Sequence, residues 1–93
     1  MDLNTGCSPT IINGLIDDNH AFYQGGGIYL HGTPNDYNTI ESPILINVTI
    51  SNNSAHYDTG YNINYGGGIF LGGSNSNINE VMIINSIIWY NKQ

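Results

Sequence analysis

The feature that most narrows what this chain can become is an internal repeat. Ser8 to Ala21 (SPTIINGLIDDNHA) lies without a gap over Ser42 to Ala55 (SPILINVTISNNSA). A third copy begins at Ile83 and runs IINSIIWYN to Asn91. Between copies, the hexapeptide Gly25 to Leu30 (GGGIYL) returns as Gly66 to Leu71 (GGGIFL). A recurrence on this scale marks architectures in which each unit buries its apolar face only against its neighbours.

Matching positions carry the physical logic. Ile11, Leu45 and Ile83 form one apolar column, and Ile16, Ile50 and Ile88 form another, each at a fixed distance from an asparagine: Asn13, Asn47 or Asn85. Alternation within each short apolar run predicts strands, with Val48 and Ile50 on one face and Thr49 on the other, and with Ile28 and Leu30 likewise paired. Alanine stands only at positions 21 and 55, whereas β-branched isoleucine and turn-forming asparagine and glycine dominate. Strands joined by tight corners are the economical solution.

Hairpins need two-residue turns, yet the corners here are a single asparagine or a glycine run, and the copies repeat in parallel order. The expected fold is therefore all-β: a right-handed parallel β-helix, or solenoid, of two to three coils with inserted loops. Each strand pairs with its copy in the next coil at ~4.8 Å. The whole of 1–93 reads as one β-helix segment, a fragment of a longer solenoid, with repeats at about 8–41, 42–80 and 81–93. Asn13, Asn47 and Asn85 are expected to point inward as a structural ladder, each amide bonding to the one above and below. Asn19, Asn53 and Asn91 suit a second corner in the left-handed conformation. The glycine triplets supply corners where backbones approach closely.

The Gly-Gly-Gly-Ile segments, the Ile-x-x-Asn segments (Ile16 to Asn19, Ile50 to Asn53, Ile88 to Asn91) and the Ser-Pro lead-in resemble the repeats of polymorphic outer membrane proteins. More broadly they resemble the right-handed β-helix surface proteins of many bacteria. This chain departs from that pattern in carrying Ile where some members have Phe, and in its longer loops. The resemblance implies a pectate-lyase-like β-helix, export to the bacterial surface or outside, and a passenger or adhesin role.

Charge content excludes other classes. Only 9% of residues are charged, the formal net charge is −6, and Lys92 is the sole cation. A nucleic-acid groove needs Lys and Arg to displace phosphate counterions, so no nucleic-acid partner is expected. Docking on anionic lipid fails for the same reason. No stretch approaches the ~20 apolar residues of a membrane helix, so no membrane insertion by this segment is expected, and the N-terminus lacks the basic then apolar run of a signal peptide, so a signal for export is expected upstream. Cys7, the one cysteine, cannot form an internal disulfide or a cysteine-based zinc site.

The copies are spaced 34 residues apart (Asn13 to Asn47) and then 38 (Asn47 to Asn85), and the excess sits in loops. His31 to Glu41 and Gly72 to Glu80 should leave the same edge in successive coils. If they converge, Asp36, Glu41 and Glu80 offer carboxylates to a calcium ion, the one cofactor the sequence suggests. Tyr57, Asp58, Tyr61 and Tyr65 crowd a third loop. Tyrosine rings pair a flat apolar face with a hydroxyl, which suits polysaccharide, and these four are the candidate ligand-binding residues.

Asp17, Asp18 and His20 form a compact acidic cluster, and paired carboxylates can divide acid and base work. Polygalacturonase-like β-helix enzymes carry an Asp pair, a glycine-flanked His and a basic pair. Here only the Asp pair matches, and the second copy replaces it with Ser51 and Asn52. Lyase chemistry beside a uronate needs a cation that the chain lacks. These are read as solvated corner residues, with no catalytic residue assigned. Asn47-Val48-Thr49 matches a glycosylation acceptor, but an inward Asn47 would be out of reach. The expected function is thus a structural or adhesive, glycan-facing segment. The alternative is a fragment of a carbohydrate-active β-helix enzyme, a polysaccharide lyase or glycoside hydrolase, whose catalytic residues lie outside this chain. The expected partners are flanking coils of the same polypeptide, or other copies joined end to end.

Overall fold

A computed structural model describes residues 1–3, 8–31, 42–56, 66–72 and 80–92, the side chains of Asp2 and His31 excepted. Among these residues there is no helix; the chain is all-β. Eleven short strands follow in order: β1 (Asp2–Leu3), β2 (Thr10–Ile12), β3 (Leu15–Asp17), β4 (His20–Ala21), β5 (Ile28–His31), β6 (Ile44–Ile46), β7 (Thr49–Ser51), β8 (Ser54–Ala55), β9 (Ile69–Gly72), β10 (Met82–Ile84) and β11 (Ile87–Trp89).

No strand pairs with its sequence neighbour. Each pairs in parallel with its counterpart in the next copy, giving the sheets β1-β5-β9, β2-β6-β10, β3-β7-β11 and β4-β8. Ser54 also bridges in parallel to Lys92, which extends the last sheet by one residue. The register puts Ile11 against Leu45 against Ile83, and Ile16 against Ile50 against Ile88, the two columns expected from the repeat. A parallel pair cannot be closed by a tight hairpin, so the chain must travel through the other sheets before returning one layer on.

Bends between strands are made by residues that tolerate the left-handed region. Asn13, Asn47 and Asn85 take φ of 56°, 52° and 47° after β2, β6 and β10. A left-handed residue costs an ordinary side chain about 1–2 kcal/mol, and asparagine is among the few that adopt it readily. Asp18, Asn52 and Tyr90 do the same after β3, β7 and β11, at 56°, 52° and 55°. Ahead of β5 and β9, Gly25 and Gly66 take 64° and 63°. In the triplet that follows, a Cβ on Gly26 would run into the carbonyl oxygens of Gly67 and Ser54, so the close approach expected of the glycine runs is present.

The core sits between the sheets, in the middle layer. Leu45, Val48 and Ile50 are fully buried, as are Ile28 and Leu30, while Thr49 and Tyr29 between them are half-buried, so the expected alternation holds. Ile11, Ile16, Ile69 and Val81 pack against this cluster from the outer layers. Strands β10 and β11 are exposed along their whole length.

The asparagine assignment is corrected. Asn13, Asn47 and Asn85 are exposed, outside the core, and Asn47 Nδ2 donates to Asn13 Oδ1 at 3.2 Å on the surface. The continuous amide ladder is the other set, Asn19, Asn53 and Asn91, exposed, buried and half-buried in turn. Asn53 is fully buried. Its Oδ1 accepts from the Asn19 backbone N–H at 3.0 Å and from Asn19 Nδ2 at 2.9 Å. Its own backbone N–H and Nδ2 donate to Asn91 Oδ1 at 3.1 and 3.0 Å. The Nδ2 groups of Asn53 and Asn91 also reach one layer back, to the carbonyls of Ile16 and Ile50, at 2.9 Å each. Left-handed φ at the second corner belongs to the residue before this asparagine, which is what turns its side chain inward.

Candidate functional site

Of the expected ligand-binding residues, Tyr57, Asp58, Tyr61 and Tyr65 lie outside the described residues, as do Asp36 and Glu41 of the calcium set. Glu80 is described, exposed just ahead of β10. Among the described residues no three His, Cys, Asp or Glu side chains come together as a metal site.

Of Asp17, Asp18 and His20, the first and last each bond to a side chain of the next copy. Asp17 ends β3 and pairs in register with Ser51. Its Oδ1 accepts from Ser51 Oγ at 2.6 Å and from Asn52 Nδ2 at 2.9 Å. Those two donors, Ser51 first and Asn52 second, hold the Asp17 carboxyl below the usual carboxylate range. A carboxylate so committed is a poor proton donor at neutral pH. His20, on β4, also faces the next copy, with Nδ1 at 2.7 Å from Ser54 Oγ. Both groups join layers through side chains where the repeat sets unlike polar residues one above the other.

A different group of residues lines a recess. Ala21, Phe22, Tyr23, Gln24 and Tyr29 line an open depression of about 620 Å³ at the corner between β4 and β5. Phe22 and Tyr23 are 64% and 59% exposed, enough to present ring faces to a ligand. Tyr29 stacks on Phe70, its counterpart in the next copy, with centroids 5.5 Å apart and planes within 7°. Phe22 meets His20 edge to face at 5.8 Å. Next to it, a more polar depression of about 370 Å³ includes Asn19, His20 and Gln24. Aromatic faces bordered by amide and imidazole groups can hold the C–H face of a sugar and hydrogen-bond its rim.

Sequence reasoning looked to the tyrosine-rich loop and passed over these residues. The signal was available in the repeated hexapeptide, whose outward position between two inward aliphatics is aromatic in both copies, Tyr29 and Phe70. Asn47, excluded as a glycosylation acceptor because it should face inward, is in fact exposed. A scan against protein-family models and searches of curated proteins and of solved structures return no match.

Proposed function

We propose that this chain is a segment of a right-handed parallel β-helix that acts as a rigid scaffold on a bacterial surface or outside the cell, contacting glycans through its aromatic corner. The observation that carries the reading is the parallel pairing of every copy with the next, like residue over like. Right-handedness follows from the strong preference of crossovers between parallel strands. A polymorphic-outer-membrane-protein-like, adhesin-type role rests on the motif resemblance. The exposed rings of Phe22 and Tyr23 beside Gln24 support a polysaccharide as ligand, with Tyr57, Asp58, Tyr61 and Tyr65 as a second contact surface. Asp36, Glu41 and Glu80 stand as the candidate calcium set if the two loops meet.

The test is retention on a glycan array. Phe22→Ala with Tyr23→Ala should abolish retention and leave the circular dichroism spectrum unchanged. Replacing Tyr57, Tyr61 and Tyr65 by Ala reports on the second surface separately. Undiminished retention after both sets of substitutions would remove glycan recognition from the account.

A further inference from the structure

We propose that the depression at the second bend, between the Asp18, Asn52 and Tyr90 column and Ser54, binds a small zwitterion of dipeptide size. Asp18, Asn52, Asn53, Ser54, Tyr90 and Lys92 line this open recess of about 330 Å³. Three successive copies build it: Asp18 comes from the first, Asn52 to Ser54 from the second, and Tyr90 and Lys92 from the third. None of these residues belongs to the Phe22 and Tyr23 corner, so binding here is independent of glycan contact there.

Two unlike charges line this recess without cancelling. Lys92 is the only Lys or Arg in a chain with seven Asp and Glu residues. Yet among the described residues its ammonium forms no ion pair, and it lies over the Tyr90 ring, 4.6 Å from the centroid. The Asp18 carboxylate is exposed and likewise unpaired among the described residues. The backbones of the two stand two layers apart, two strand spacings of ~4.8 Å. A lone anion would leave Asp18 unmatched in a chain of formal net charge −6, a lone cation would leave Lys92 unmatched, and a neutral molecule would leave both. A zwitterion meets each charge with its opposite. Spacing sets its size: two residues of extended chain span at most ~7 Å, and a charge-assisted bond at either end adds ~2.8 Å. A free α-amino acid carries both charges on one carbon and is too short to reach across.

The Tyr90 backbone is a second, independent sign. Tyr90 stands above Asn52 and Asp18 in a column that is left-handed throughout, with φ of 55°, 52° and 56°. Asp and Asn accept that conformation, whereas a tyrosine holds it at a cost, and strained residues of this kind gather at binding sites. The ring does two things here that an asparagine could not. Its face holds the Lys92 ammonium by cation–π attraction, and it offers an apolar surface to a ligand side chain. Asn52 Nδ2 is committed to Asp17 Oδ1, which leaves Asn52 Oδ1 as an acceptor for a peptide N–H. Ser54 Oγ is fixed from below by His20 Nδ1 at 2.7 Å.

Titration of the isotope-labelled wild-type chain with the dipeptide alanyl-alanine, followed by amide NMR, tests this. The expected result is a saturable set of shifts centred on Asp18, Asn52, Ser54, Tyr90 and Lys92, weakened by added salt. N-acetyl-alanyl-alanine lacks the ammonium and alanyl-alanine amide lacks the carboxylate. Each should bind about ten-fold more weakly or worse, the worth of one hydrogen bond to a charged group. Asp18→Asn, which keeps a side chain suited to the left-handed backbone, and Lys92→Gln should each lose a similar factor. Tyr90→Asn should bind less tightly while melting higher, a split that a purely structural role for the ring would not give. No saturation, equal binding of capped and uncapped dipeptides, or shifts centred elsewhere overturns the proposal. So does cellobiose, a neutral saccharide, if it binds the same amides more tightly than the dipeptide. Should a variant lose its dispersed amide spectrum, the comparison of capped and uncapped dipeptides on the wild-type chain decides.

Discussion

Replacing the buried ladder residue should cost this molecule much of its stability. In Asn53→Ala the Oδ1 that receives the Asn19 N–H and Nδ2 is gone, and so is the Nδ2 that reaches the Ile16 carbonyl and Asn91 Oδ1. Two of those partners keep another bond: Asn19 Nδ2 has Asp17 O, and Asn91 Oδ1 retains the Asn53 backbone N–H. The Ile16 carbonyl also keeps a bond, from the Ser51 amide in the β3–β7 ladder, and the Asn19 N–H loses its acceptor. Leaving a buried group unsatisfied costs ~1–3 kcal/mol, so the expected loss is about 1–3 kcal/mol. For a chain of this size each kcal/mol moves the melting temperature by roughly 4–8 °C, which makes the shift on the order of 4–24 °C. The control is Asn47→Gly, at an exposed position with φ of 52°, where glycine accepts the backbone and only a 3.2 Å surface bond is lost. It should melt within a few degrees of wild type. Thermal unfolding followed by circular dichroism decides between them: equal drops in the two variants would refute the interior assignment of Asn53.

Gly26→Ala puts a methyl group into the Gly67 and Ser54 carbonyls and should unfold or rearrange the chain, whereas Gly14→Ala, whose Cβ meets the Ile11 side chain at 3.2 Å and Val48 methyls at ordinary contact distance, should be tolerated; comparative melts check both. Tyr90 holds a left-handed φ of 55° that suits a bulky ring poorly, so Tyr90→Asn should stabilise by about 1 kcal/mol in chemical denaturation. The Asp17 carboxyl should titrate below the ordinary value of about 3.9, as read by carbon-detected NMR, and Ser51→Ala should move it back up. Because its pKa is lowered in the folded chain, its contribution to stability is fully present above about pH 3.9 and is lost as the pH falls through the lowered value.

The apolar columns were legible because parallel stacking sets equivalent residues on one another, so an ungapped repeat is also a contact map. Ile11, Leu45 and Ile83 needed no further information, and neither did the facing of Ile28 and Leu30. Which asparagine turns inward was not legible from spacing, since each copy has a recurring asparagine at both of its bends. The deciding detail is where the left-handed residue falls. At the first bend it is the asparagine itself, whose side chain stays outside. At the second it is the residue before, and that residue varies, Asp18, Asn52 and Tyr90, while the asparagine after it recurs. A bend needs only a tolerant backbone, whereas a buried amide needs the same amide above and below. Asp2 and Leu3 were missed because only Leu3 matches the hexapeptide they pair with, through Leu30. The Phe22 and Tyr23 corner escaped because Phe22 does not recur: its counterpart in the second copy is His56.

The central claim is that each strand pairs in parallel with its counterpart one copy on, and backbone NMR correlations on isotope-labelled protein test it most directly. The Thr49 amide, which donates to the Gly14 carbonyl at 3.0 Å, should lie close to the Leu15 backbone, and the Ile87 amide, which donates to Val48 at 2.9 Å, close to Thr49. Amide-to-Hα contacts linking residues 34 and then 38 positions apart are the predicted result. Close Hα-to-Hα contacts between β2 and β3, or between β6 and β7, would indicate antiparallel hairpins and contradict the account.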